Sequence, residues 1–116
     1  ILGKNEISQK EEDTVCKLLK LLLKRKHLED FMINNMGYSY LENKQTNASY
    51  VIFKSSTTIF PDSPNAHDSF AEVLALKGKK KEALKHYKQA VLLAEKQNDR
   101  QLGTYKKNLL NFETKM

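Results

Sequence analysis

Shifted by 34 residues, the chain overlays on itself. Met36 falls on Phe70, Gly37 on Ala71 and Tyr40 on Leu74; further along, Ser49 falls on Ala83, Phe53 on Tyr87, Ser56 on Ala90 and Ile59 on Leu93. Large residues meet large ones and small residues meet small ones, in one order. A unit repeated at this interval cannot bury its apolar face alone, so one unit must stack on the next. Small residues at 37, 49, 56, 71, 83 and 90 let two antiparallel helices approach closely, while Phe53 and Tyr87 are sized to fill the space between units. One segment pulls the other way. YVIF and TTIF, within 50–60, are rich in β-branched residues and would pass locally for strands. The long-range repeat overrules that preference and predicts helix.

A period of 34 residues is the length of the tetratricopeptide repeat, a helix–turn–helix unit, and the chain resembles that family over about residues 30–97. The family's leading aromatic position holds Ile33 and His67, its Leu-Gly pair holds Met36-Gly37 and Phe70-Ala71, and its following Tyr is Tyr40 and Leu74. The small residue opening the second helix is Ser49 and Ala83, its aromatic is Phe53 and Tyr87, and its Ala is Ser56 and Ala90. Pro61 closes the first unit, but Glu95 stands at that place in the second, which should let the last helix run on. Ser63 reads as an N-cap with Pro64 at the first helical position. The expected architecture is a single all-α domain over 1–116: a short, right-handed tetratricopeptide-like helical solenoid. It comprises an N-terminal helix (1–29), two repeats (30–63 and 64–97) and a C-terminal capping helix (98–116). Helices are predicted over about 11–27, 30–43, 46–60, 64–77, 80–97 and 99–113.

Two units bury little by themselves, so the outer helices matter. Val15, Leu18, Leu19, Leu22 and Leu23 cluster on one side of the first helix, widened by Leu21, with Lys17, Lys20 and Lys24 opposite. A face that broad wants another helix over it, in this chain or in a second copy as a homodimer. Cys16, beside that face, is expected to be a buried small hydrophobe. In the last helix Leu102, Leu109, Leu110 and Phe112 are expected to pack inward, with Lys106, Lys107 and Lys115 facing water.

At 116 residues, 40% hydrophobic and 29% charged, the composition suits one globular domain. LLKLLL at 18–23 is interrupted by Lys20 and too short to span a bilayer. No signal peptide is visible, and the start at Ile1 fits a mature product or a piece of a longer chain. A single cysteine excludes an internal disulfide and a cysteine-based zinc site. The net charge of +6 invites a nucleic-acid reading, with much of the excess in 17–26 and 77–85. Neither stretch has the glycine and aromatic interleaving of an RNA-binding sheet or a helix-turn-helix pattern, so a solvated face is the expectation.

His67, Asp68 and Ser69 stand side by side and are the residue types of a hydrolase triad. On a helix, neighbours point about 100° apart and cannot form the hydrogen-bonded chain a triad needs. His27 and His86 have no metal spacing, the four glycines form no phosphate loop, and the sequon Asn47-Ala48-Ser49 opens a helix. No catalytic residue, cofactor site or metal site is expected. The family resemblance instead implies a concave groove lined by the first helix of each unit. The matching positions are Asn34, Tyr38 and Leu41, then Asn65, Asp68, Glu72 and Ala75. Asp68 and Glu72 would repel a C-terminal carboxylate, which disfavours chaperone-tail binding.

The wording NNMGYSYL (34–41) and IFKSSTTIFPDSPNAHDSFAEVLALKGKKKEALKHYKQAV (52–91) also looks like the C-terminal segment of certain bacterial exported serine hydrolases. These are esterase-like and beta-lactamase-like, penicillin-recognising proteins. None of their nucleophile motifs, SxxK or GxSxG, occurs here. That likeness implies a non-catalytic appendage, docking a protein or peptide partner or the parent's own catalytic domain. It implies an exported location if the parent is such a hydrolase, and a cytoplasmic one otherwise. The competing expectation is a basic helical domain that binds nucleic acid or an anionic membrane surface through 17–26 and 77–88.

Overall fold

The computed structural model describes residues 10, 12–18 and 30–116. Among these, every regular element is helical: a segment over 12–18 (α1), then α2 (Asp30–Glu42), α3 (Thr46–Ile59), α4 (Pro64–Leu76), α5 (Lys80–Gln97) and α6 (Leu102–Lys115). No strand occurs among the described residues. The β-branched run of α3 is helical because the hairpin buries it: Val51, Ile52 and Phe53 are excluded from solvent. Burial of that size overrides a local preference worth about 1 kcal/mol at most. The rest of the expected first helix, with Leu19, Leu21, Leu22, Leu23, Lys20 and Lys24, lies outside the described residues.

From α2 onward each helix packs against the next, and α4 also touches α2 and α6. The pairs α2–α3 and α4–α5 are hairpins of one design. Their first helices start at Asp30 and Pro64 and end at Glu42 and Leu76, and their second helices start at Thr46 and Lys80, each 34 residues apart. The turns agree bond for bond. Lys44 N–H donates to Leu41 O (3.0 Å) and Gln45 N–H to Tyr40 O (2.9 Å); Gly78 N–H donates to Ala75 O (3.0 Å) and Lys79 N–H to Leu74 O (2.9 Å). Each turn requires one left-handed residue, Lys44 (φ 61°) and Gly78 (φ 78°). Glycine adopts that conformation freely, whereas for lysine it costs about 1 kcal/mol.

Helix ends follow local chemistry. Ser63 caps α4, its hydroxyl accepting from Ala66 N–H at 3.1 Å, with Pro64 in the first turn. Ahead of Phe60-Pro61, α3 stops at Ile59. With Glu95 in place of that proline, α5 continues to Gln97 and ends on Asn98 in the left-handed conformation (φ 52°).

Three apolar clusters hold the stack. Val15 of α1 packs with Ile33, Val51 and Ile52. Phe53, Phe70, Ala71, Val73, Leu74, Ala83 and Tyr87 join the hairpins. Ala90, Val91 and Ala94 of α5 meet Tyr105 of α6. Two expectations are corrected here. Cys16 is half-buried rather than buried, and Leu18 is 53% exposed; the contacts of this segment with the hairpin run through Val15 and through Glu12, which pairs with Lys54 of α3. In α6, Leu110 is 60% exposed while Tyr105 is buried. The inward stripe runs through 102, 105, 109 and 112 at helical spacing, which turns Leu110 outward.

Gly37 sets the approach of α2 to α3. A Cβ there would lie 2.5 Å from Cε1 and 2.6 Å from Cζ of Phe53. Phe53 is wholly buried and cannot retreat. Gly37→Ala should therefore destabilise the protein by about 1–3 kcal/mol despite the better helix propensity of alanine, measured as a lowered midpoint in urea. Lys44→Gly should act oppositely, adding up to about 1 kcal/mol by relieving the left-handed lysine, measured in the same titration.

Candidate functional site

Asp68 and Glu72 lie one turn apart on α4 and so share a face. Tyr38 of α2, Tyr87 of α5, and Asn108, Asn111, Phe112 and Lys115 of α6 complete a pocket of about 190 Å³ around them. The ring of Tyr38 meets that of Phe53 edge-on at 5.0 Å, and Tyr87 packs on Phe112 at 5.1 Å, so the aromatic walls are anchored in the core. Asn108 Nδ2 donates to both carboxylate oxygens of Asp68, at 3.2 Å each.

The pocket is an unfavourable place for negative charge. Burial pushes the Asp68 carboxyl up to about 6, with Glu72 adding to the shift and the Asn108 amide opposing it. Burial, then Glu72, pushes the Tyr38 hydroxyl up, and burial with both carboxylates takes Tyr87 to about 12. Lys115 lines the same pocket. Among the described residues, an ion pair joins Lys54 and Glu12, neither of which lines this pocket.

Of the groove positions expected from the sequence, Tyr38, Asp68 and Glu72 come together here. The other four are placed differently. Asn34 accepts a hydrogen bond from Ser69 Oγ, which in turn accepts from the Tyr38 hydroxyl at 3.4 Å, so it ties α2 to α4. Leu41 and Ala75 pack against the central cluster. Asn65 borders a separate hollow of about 560 Å³ with Pro64, Asp68, Gln97 and Tyr105. Sequence reasoning missed Asn108 and Tyr87 as pocket residues. The spacing of Asn108 and Phe112, one turn apart in α6, is the signal that would have suggested a shared face.

His67, Asp68 and Ser69 make no relay among the described residues; each side chain has a different partner. His67 is buried, with Nε2 2.8 Å from the Pro61 carbonyl oxygen and Nδ1 2.9 Å from Nδ1 of His86. The carbonyl can only accept, so Nε2 of His67 carries a hydrogen. In the neutral pair, Nδ1 of His67 therefore accepts from the Nδ1–H of His86. The rings stack at 5.2 Å, and Phe70 meets His86 edge-on at 4.8 Å. Among the described residues no group of three or more His, Cys, Asp or Glu side chains could hold a metal ion, and no helix is long and apolar enough to cross a membrane. Comparison with family models gives no match for this chain, and comparison with curated proteins gives no matching relative.

Burial, then the neighbouring His67 and Lys85, lowers His86 from 6.5 to about 4. A base harder to protonate when folded contributes stability that is present above pH 6.5 and lost as pH falls towards 4. Asp68, raised from 3.8 to about 6, has the opposite sign: its contribution is present below 3.8 and lost as pH rises through 6. His86→Gln keeps a donor for His67 and removes one titration. The melting temperature of the wild type should thus fall further than that of His86→Gln between pH 7 and pH 4.5, as followed by circular dichroism.

Proposed function

We propose that this chain is a non-catalytic interaction module, a short tetratricopeptide-like solenoid whose concave side holds an extended peptide. The architecture supports it: two hairpins of one design, helix starts 34 residues apart, and α4 in contact with both α2 and α6. The observation that carries the reading is the pair Asp68 and Glu72, set in a pocket walled by Tyr38, Tyr87 and Phe112. Carboxylates beside aromatic faces are the complement of a lysine or arginine side chain. A bound cation would restore the charge balance that burial denies Asp68. The partner is a protein segment carrying a basic residue. On the appendage reading, that segment belongs to the parent's own catalytic domain.

The test is a binding screen of the whole chain against arrayed extended peptides, followed by fluorescence polarisation on the best binder. Arginine and lysine should be enriched at one position. The double variant Asp68→Asn/Glu72→Gln should weaken that peptide about tenfold or more, equivalent to about 1.4 kcal/mol, with its melting temperature preserved. Lowering the pH from 7.5 to 5 should weaken the wild type and leave the double variant unchanged, since Asp68 gains its proton near pH 6. Peptides selected without a basic residue, or equal binding by the variant, would sink the proposal.

A further inference from the structure

Near the hairpin turns, three lysines gather around one ring. The ammonium groups of Lys77, Lys79 and Lys54 lie 5.0, 5.2 and 5.8 Å from the ring centroid of Tyr50. A ring has two faces, so at least two of the three share one. The attraction of a cation to an exposed aromatic face is no larger than the repulsion between two ammonium groups sharing it. Tyr50 alone therefore does not account for the gathering. Glu12 neutralises Lys54. Lys77 donates to a neutral group, Asn47 Oδ1, at 2.5 Å. Lys77 and Lys79 are both exposed and form no ion pair among the described residues, so their charges remain uncompensated beside each other.

We propose that Lys77 and Lys79, beside the ring of Tyr50 with Asn47 at the edge, form a binding site for a phosphate group, with the Glu12-paired Lys54 on its border. Two uncompensated ammonium groups gathered at one ring, with an amide beside them, match an oxyanion with several acceptor oxygens better than a single carboxylate. Tyr50 is half-buried and packs against Phe70 at 5.5 Å, and the three ammonium groups lie within 5.8 Å of its centroid, so a stacking nucleobase would compete with them for the ring. The shared chemistry is a phosphate ester, soluble or in a lipid headgroup. The site is independent of the carboxylate pocket, which draws on different residues.

Amide NMR of the full chain titrated with inorganic pyrophosphate at fixed ionic strength tests this. Saturable shifts should centre on Asn47, Tyr50 and Lys77–Lys79. The variant Lys77→Gln/Lys79→Gln should weaken the dissociation constant about tenfold, whereas Lys106→Gln/Lys107→Gln, equal in charge removed, should leave it unchanged. Co-sedimentation with phosphatidic acid vesicles, against phosphatidylcholine alone, separates the sources. Vesicle binding lost in the Lys77/Lys79 variant assigns the lipid headgroup, and pyrophosphate binding without vesicle binding assigns a soluble ester. Shifts spread evenly over all the lysines, equal weakening by both double variants, or binding of an oligothymidylate that pyrophosphate does not displace would overturn the proposal.

Discussion

Phe53 lies over Gly37 with no room for a methyl group between them, and the placement of the candidate pocket follows from that contact. Close approach of α2 to α3 fixes Tyr38 edge-on to Phe53, which presents the Tyr38 hydroxyl to Ser69 on α4. In the second unit Ala71 and Tyr87 occupy the same places. There the Tyr87 ring, buried in the central cluster, meets Phe112 of α6 at 5.1 Å. One steric minimum and four aromatic rings, Phe53, Tyr38, Tyr87 and Phe112, thus connect the first hairpin to the last helix. Moving α2 outward by even a methyl group would displace the wall of a pocket formed mostly by other helices, because closely packed interiors transmit such shifts.

Comparing the two units explains what the sequence could and could not reveal. The helix starts were legible because a residue-by-residue match over 34 positions averages out local preference, as the strand-like YVIF run shows. Tyr38, Asp68 and Glu72 were legible as positions on one face. Their convergence with Asn108 and Phe112 was not, since α6 lies beyond the repeat and its rotation depends on Tyr105 being buried, a residue the leucines overshadowed. The histidine pair was hidden for another reason. His67 and His86 stand where the first unit has Ile33 and Ile52, both wholly buried in one cluster. An apolar contact in one unit has become a hydrogen-bonded one in the other, and nothing in either residue's neighbourhood announces its partner 19 positions away. The exchange keeps the hairpin packed while requiring one specific arrangement of hydrogens, which is where acidity enters the stability of an otherwise apolar joint.

The same comparison bears on which charged groups the scaffold itself requires. Asp68 and Glu72 correspond to Asn34 and Tyr38, both neutral, and the first unit packs with those residues in place. Lys77 and Lys79 correspond to Asn43 and Gln45, and the turn that carries Asn43 and Gln45 makes the same backbone hydrogen bonds without either charge. Stacking therefore demands neither the acidic pair nor the basic one. Burial disfavours the charge of Asp68, and Lys77 and Lys79 bring two like charges to one ring without an ion pair among the described residues. A charged residue whose structural equivalent shows it to be dispensable for the fold is free to serve contacts with other molecules. The fold thus presents two charged surfaces of opposite sign, an acidic pocket on the side of α2, α4 and α6 and a lysine pair at the second hairpin turn, and the two proposed binding roles rest on that division.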